Sequence, residues 1–192
     1  MALIANKQDK YITILSDGTL RLPVPEGTEG AVKREYELKD GTKGSKTELV
    51  FNKITGKITD IKIFDGDFGK LLQLTITDEA GDMVLSVSTA QNFGEDLMKK
   101  LPNIDLDKEV SLAPYSFEDE KGKSKKGVTV TQDEVKIKNY FYDEEKKEVT
   151  NGYPKPKGDT TKYSSDKWKI YFLEAREFLT EYIEERFVKK DF

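Results

Sequence analysis

A chain of 192 residues is long enough for one domain with its own core, and 36% hydrophobic against 35% charged residues place it at the polar end of globular proteins, where long surface loops are expected. Lys and Arg number 32 against 36 Asp and Glu, a formal charge of −4; that argues against a polybasic binder but not against a local basic groove, whose field is set by its nearest charges. With no Cys and no His, the chain has no disulfide framework, thiolate or imidazole metal site, cysteine nucleophile or Ser-His pair, and of the common metal sites only a carboxylate Mg²⁺ site stays open.

The N-terminal run MALIANKQDK lacks the apolar core and cleavage site of a signal peptide, and no apolar run approaches membrane-spanning length, so a soluble protein of a (host) cytoplasm is expected, with no membrane partner. Residues 11–15 and 19–24 flank Asp17-Gly18, a short-range hairpin signal. Two Pro and two Gly between Pro23 and Gly30 break the pattern. Val32 to Leu38 alternates as a strand, turns at Asp40-Gly41 and returns as an extended run from Glu48 to Ile54. Residues 1–47 therefore read as an N-terminal β-hairpin extension of a unit that begins at Glu48.

Residues 48–142 are that organising unit. Ile61 and Ile63 point one way, with Asp60, Lys62 and Phe64 on the other face. Leu72, Leu74 and Ile76 repeat the alternation across the tight turn Asp65 to Gly69, and Met83, Leu85 and Val87 repeat it again after Gly81. Gln91 to Leu101 switches to helical spacing and stops at Pro102. Val110 and Leu112 open a fourth strand that continues through Tyr115 and Phe117. After the loop EDEKGKSKKG, a fifth run from Val128 is expected to reach Phe141, with Lys136, Lys138, Tyr140 and Tyr142 on its outer face. Three strands, a helix and two strands is the order of a five-stranded OB barrel, whose helix plugs the base and whose last loop forms one jaw of a groove. The expected fold class is mainly β, an OB-fold-like five-stranded barrel with an N-terminal β extension and a C-terminal helix.

Residues 143–163, with DEEKKE and YPKPKGDTTK, read as a linker. The segment 164–192 opens with a cap at Ser164, Ser165 or Asp166. It then places Trp168, Tyr171, Phe172, Ala175, Phe178, Leu179, Tyr182, Ile183 and Phe187 at helical spacing. Such an aromatic stripe must be covered, by the protein's own barrel, by a second copy or by a partner, with Trp168, Phe172 and the terminal Phe192 as candidate partner-binding residues.

Single strands of nucleic acid need π surfaces for bases and cations for phosphates. Aromatics and lysines alternate on one expected surface: Lys62, Phe64, Phe68, Lys70, Tyr115, Phe117, Lys123, Lys125, Lys126, Lys138 and Tyr140. The carboxylates Asp60, Asp65, Asp67, Asp78 and Glu79 read as turn and strand-end residues rather than a nuclease site. No Gly-rich phosphate loop, Walker pattern or EF-hand loop is present. No catalytic role and no cofactor are expected.

DFGK at residues 67–70, MKKLPN at 98–103 and PYSFED at 114–119 with the lysine loop after it resemble a group of bacteriophage-type single-stranded DNA-binding proteins with OB folds. The resemblance covers residues 48–141. It implies a non-catalytic, sequence-independent coat for single-stranded DNA in replication or recombination, with replication or recombination proteins and further copies of the chain as candidate partners. Many such proteins end in an acidic segment with a terminal Phe. Here Asp191-Phe192 is present and the acidic run is not. The alternative function is a protein-interaction or regulatory module that acts on a host or replication enzyme through the aromatic helix.

Overall fold

The computed structural model describes residues 10–38 and 40–188. It is mainly β with a C-terminal helix. Ten strands form one mixed sheet: β1 (Lys10–Ile14), β2 (Leu20–Pro23), β3 (Val32–Glu37), β4 (Lys43–Phe51), β5 (Ile54–Gly66), β6 (Gly69–Asp78), β7 (Gly81–Ser88), β8 (Glu109–Glu118), β9 (Ser124–Gln132) and β10 (Val135–Lys136), in the spatial order β10-β9-β8-β5-β6-β7-β1-β2-β4-β3. The five strands expected to make a barrel are neighbours here, β9-β8-β5-β6-β7, but the hydrogen-bonded ladder runs open from β10 to β3 and does not close on itself.

The thirteen-residue β5 serves two neighbours. Its first residues, Ile54 to Lys57, pair with β8, and Lys57 to Gly66 pair with β6, with a register shift between Ile58 and Asp60. Gly56 sits where the strand passes from one neighbour to the other, and a Cβ there would lie 2.7 Å from the Thr77 carbonyl oxygen. Leu72, Leu74 and Ile76 of β6 are fully buried, and across the sheet Ile61, Leu74, Leu85 and Ile12 stand in one row on the core face.

The helix α1 (Asn92–Lys100) buries Phe93, Leu97 and Met98 and closes one end of the core. It also completes β9. Asp96 Oδ2 accepts from the Val128 N–H at 2.7 Å, and Lys100 Nζ donates to the Val128 carbonyl at 2.6 Å while pairing with Asp96 at 2.7 Å. The outer edge of β7 takes β1 instead, in parallel register from Lys10–Met83 to Thr13–Ser86. Residues 10–14 and 20–23, from the stretch expected as an appended hairpin, are thus part of the sheet. The turn between β1 and β2 spans the remaining gap. Asp17 Oδ1 accepts from the Thr19 N–H, and Gly18 has φ +81°. A Cβ on Gly18 would lie 2.7 Å from the Ser116 nitrogen of β8, and Lys126 Nζ donates to the Ser16 carbonyl at 2.9 Å.

The fifth run stops earlier than its alternation predicts. Asp133 and Glu134 both have positive φ and turn the chain after Gln132, so only Val135 and Lys136 pair back as β10. Phe141 then enters the core, 1% exposed, with ring centroids of Tyr153, Phe178, Tyr182 and Tyr140 within 5.0–5.7 Å. Between residues 142 and 163 lie a two-stranded hairpin, β11 (Tyr142–Asp143) and β12 (Glu148–Val149), and a short 3₁₀ turn.

The helix α2 (Ser165–Phe187) is capped by Ser164, whose hydroxyl accepts from the Lys167 N–H. Its second half buries Ala175, Leu179 and Ile183. Two ion pairs tie it down: Arg176 to Glu95 of α1 at 3.2 Å and Glu184 to Lys70 of β6 at 2.6 Å. No helix among the described residues is long and apolar enough to cross a membrane.

Gly18→Ala carries both the left-handed backbone cost of about 1–2 kcal/mol and a clash with β8 backbone, whereas Gly27→Ala, with similar φ and open space around it, carries only the first. Urea unfolding should rank Gly18→Ala clearly below Gly27→Ala; equal losses would show that the turn does not rest on β8. A second expectation concerns acid. Burial works to raise the Glu95 carboxyl, but Lys99 and Arg176 outweigh it and hold the group below its ordinary range. Its stabilising contribution is therefore complete above the unfolded value near ~4.3 and is lost as pH falls through the lower folded value. Glu95→Gln should show a smaller drop in Tm between about pH 6 and about pH 3 than the parent chain.

Candidate functional site

The expected surface divides into three groups. The first lies on the β8–β9 hairpin. Alternation puts Leu112 and Pro114 inward, so Tyr115 and Phe117 project from the opposite face, across from Gly127 and Lys125. Gly127 has no side chain to obstruct the Tyr115 ring; a Cβ there would lie 2.5 Å from its phenolic oxygen. The Tyr115 and Phe117 rings stand 5.8 Å apart at 38°. Phe117 is 56% exposed. Burial pushes the Tyr115 phenol up, and the Asp96 carboxylate adds to the shift.

At the tip of this hairpin the Asp119 carboxylate accepts from the N–H groups of Lys121 and Lys123, which holds the turn, and stands 3.7 Å from Lys125 Nζ. Those contacts, the Lys123 N–H foremost, keep Asp119 below the usual carboxylate range. Lys123 and Lys125 are exposed on the flank of the aromatic pair. Lys126 points the other way and is bound to the β1–β2 turn, so it does not belong to this group.

The second group is on β5 and its turn into β6. Phe68, between Asp67 and Gly69, is 98% exposed. Phe64 is partly exposed opposite Leu71, and Lys62 lies two residues before it, opposite Gln73 and 2.9 Å from Asp60. The row of Lys62 and Gln73 continues through Ser86 and Thr13 to Arg21. Tyr11, 52% exposed and opposite Val84, shares that face. Tyr11 and Arg21 were not among the expected site residues. The alternation of Tyr11 and Thr13 with Ile12 and Ile14 marks the outward face, but nothing in sequence joins β1 to β7. Arg21 is held by Asp17 at 3.2 Å and by the Thr19 hydroxyl.

The third group is Lys70, Tyr140 and Lys138, each of which has a partner elsewhere in the chain. Lys70 is paired with Glu184 of α2, whose hydrogen bond raises the ammonium above its ordinary range. Tyr140 packs 6.0 Å from Tyr182, with the Arg186 guanidinium 5.6 Å from its ring centre, and the hydrogen bond with Tyr182 lowers its phenol. Lys138 is paired with Glu144 at 2.8 Å. Lys70 and Tyr140 help to seat α2, and Lys138 is tied to the loop after Tyr142, so these three are engaged elsewhere than at the exposed aromatics. Trp168 stacks on Phe172 at 5.7 Å and lies 5.0 Å from Tyr163, while Phe192 is outside the described residues.

Among the described residues no three acidic groups converge to hold a metal ion. Asp78 instead accepts from the N–H groups of Ala80 and Gly81 in its turn. The chain matches no protein-family model, and neither curated proteins nor solved structures show a significant match to it.

The aromatics split by what they hold up. Phe117→Ala and Phe68→Ala should leave unfolding free energy within about 0.5 kcal/mol of the parent, whereas Phe141→Ala should cost about 3–5 kcal/mol. Denaturant titration of the three variants checks this; a large loss at Phe117 would make it a structural residue.

Proposed function

We propose that this chain is a non-catalytic, sequence-independent binder of single-stranded DNA, the role implied by its resemblance to phage-type single-stranded DNA-binding proteins. The observation that carries the reading is the Tyr115–Phe117 pair on the face away from the core, Phe117 exposed and Tyr115 half-buried beside it, with Lys125 directly across from Phe117. An aromatic pair of this kind beside cations offers a π face to unpaired bases and charge to the adjoining phosphates, and it needs no base-specific contact.

Strand order supports the same reading. β5 to β9 with α1 between β7 and β8 follow the OB sequence of elements, and β5 divides its pairing between β6 and β8 as the first strand of such a barrel does. In this view the unit is an OB barrel whose last edge is completed by α1 side chains instead of by a ladder. The β5–β6 turn with Phe68 and the β8–β9 tip with Lys121 and Lys123 are then its two jaws. The fully exposed ring of Phe68 in a four-residue turn contributes nothing to folding, and stacking gives it a use.

Fluorescence anisotropy with labelled oligo(dT) tests the proposal. Binding should be steeply salt-dependent, and replacing Tyr115 and Phe117 together by Ala should weaken it by about 1–3 kcal/mol for each base that loses a platform. Lys123→Ala with Lys125→Ala should reduce the slope of log K against log salt by about 1.4, at roughly 0.7 per phosphate contact. Absence of binding at low salt would end the proposal.

A further inference from the structure

The helix α2 packs on its own body along one side, most deeply in its second half. Opposite the buried Leu179 and Ile183, the residues Ile170, Leu173, Glu177, Glu181 and Glu184 follow one another at steps of three and four, which brings them into one narrow stripe. Ile170 is 57% and Leu173 62% exposed. Farther along, the stripe forms one wall of a groove of about 430 Å³, with Leu173, Glu177 and Glu181 on the helix and Lys70, Thr89 and Ala90 opposite. The cations at this groove are committed, Lys70 to Glu184 and Arg176 to Glu95. Glu177 and Glu181 form no ion pair among the described residues.

The pattern selects its occupant. A second copy of α2 laid parallel would set glutamate on glutamate; laid antiparallel, it would set Ile170 and Leu173 against the partner's carboxylates. A nucleic-acid backbone would meet uncompensated negative charge. What fits is a helix with two apolar side chains at one end, for Ile170 and Leu173, and lysines or arginines in the next turns, for Glu177 and Glu181. We infer that this groove docks a cationic amphipathic helix of another protein. The site shares no residue with the Tyr115–Phe117 surface, so the two can be occupied together.

The test uses the full chain as bait for a display library of helical peptides of about four turns. Enriched peptides should combine Leu, Ile or Met with Lys or Arg one to three turns away. Glu177→Lys with Glu181→Lys should weaken an enriched peptide by at least about tenfold in fluorescence polarisation, and Leu173→Asp should do likewise. Both changes lie on exposed positions, so circular dichroism should show an unaltered melt, and oligo(dT) affinity should not fall. Glu177→Gln with Glu181→Gln gives a milder version if charge reversal disturbs the helix. An empty selection, enrichment of acidic or uncharged peptides, or peptide affinity unchanged in these variants would each overturn the inference.

Discussion

At Val128 two side chains stand in for a strand. Asp96 takes the N–H and Lys100 gives to the carbonyl, and the pair neutralises itself one helical turn apart. An unpaired edge presents donors and acceptors that must go somewhere, and here α1 supplies both at the place where a barrel would otherwise close. The outer edge of β7 then takes β1, and through β1 the sheet gains β2, β4 and β3. The open ten-stranded sheet and the turn that bridges its gap both accompany this one substitution of side chains for backbone.

The C-terminal helix is held by a different device. Phe141 is an apolar peg around which Tyr153, Phe178 and Tyr182 are arranged, and its burial, with that of Leu179 and Ile183, docks the second half of α2. The ion pairs at Glu95 and Lys70 set its direction more than its affinity, being partly exposed. The first half of the helix meets no such peg; Trp168 and Tyr171 are half-buried there, and Ile170, Phe172 and Leu173 remain on the surface.

Much of the sheet was legible because β6 alternates strictly, β5 and β7 alternate apart from the shift at Ile58–Asp60 and the adjacent Val84 and Leu85, and their turns carry Gly. The helix α1 was legible from its spacing and Pro102. The positions of Tyr115 and Phe117 followed from the same period. The failures have a common cause. Asp133-Glu134 lacks the Gly or Asn that signals a tight turn, so alternation was carried past it, although the inward place expected for Phe141 agrees with its burial. The pairing of Lys70 with Glu184, 114 positions away, is announced by no local pattern. The parallel pairing of β1 with β7 was invisible for the same reason: a short strand with good alternation does not state its neighbour.

Gly18 also bears on the order in which the molecule is made. β1 and β2 leave the ribosome before the strand that receives β1, which comes some seventy residues later, and before the backbone on which their turn rests, at Tyr115 and Ser116, later still. Throughout that interval Ile12, Ile14 and Leu20 have no surface to cover them. Contacts so distant along the chain are slow to form, so the seat of β1 on β7 and of its turn on β8 is made late, and until then the nascent chain is more open to chaperones and to aggregation.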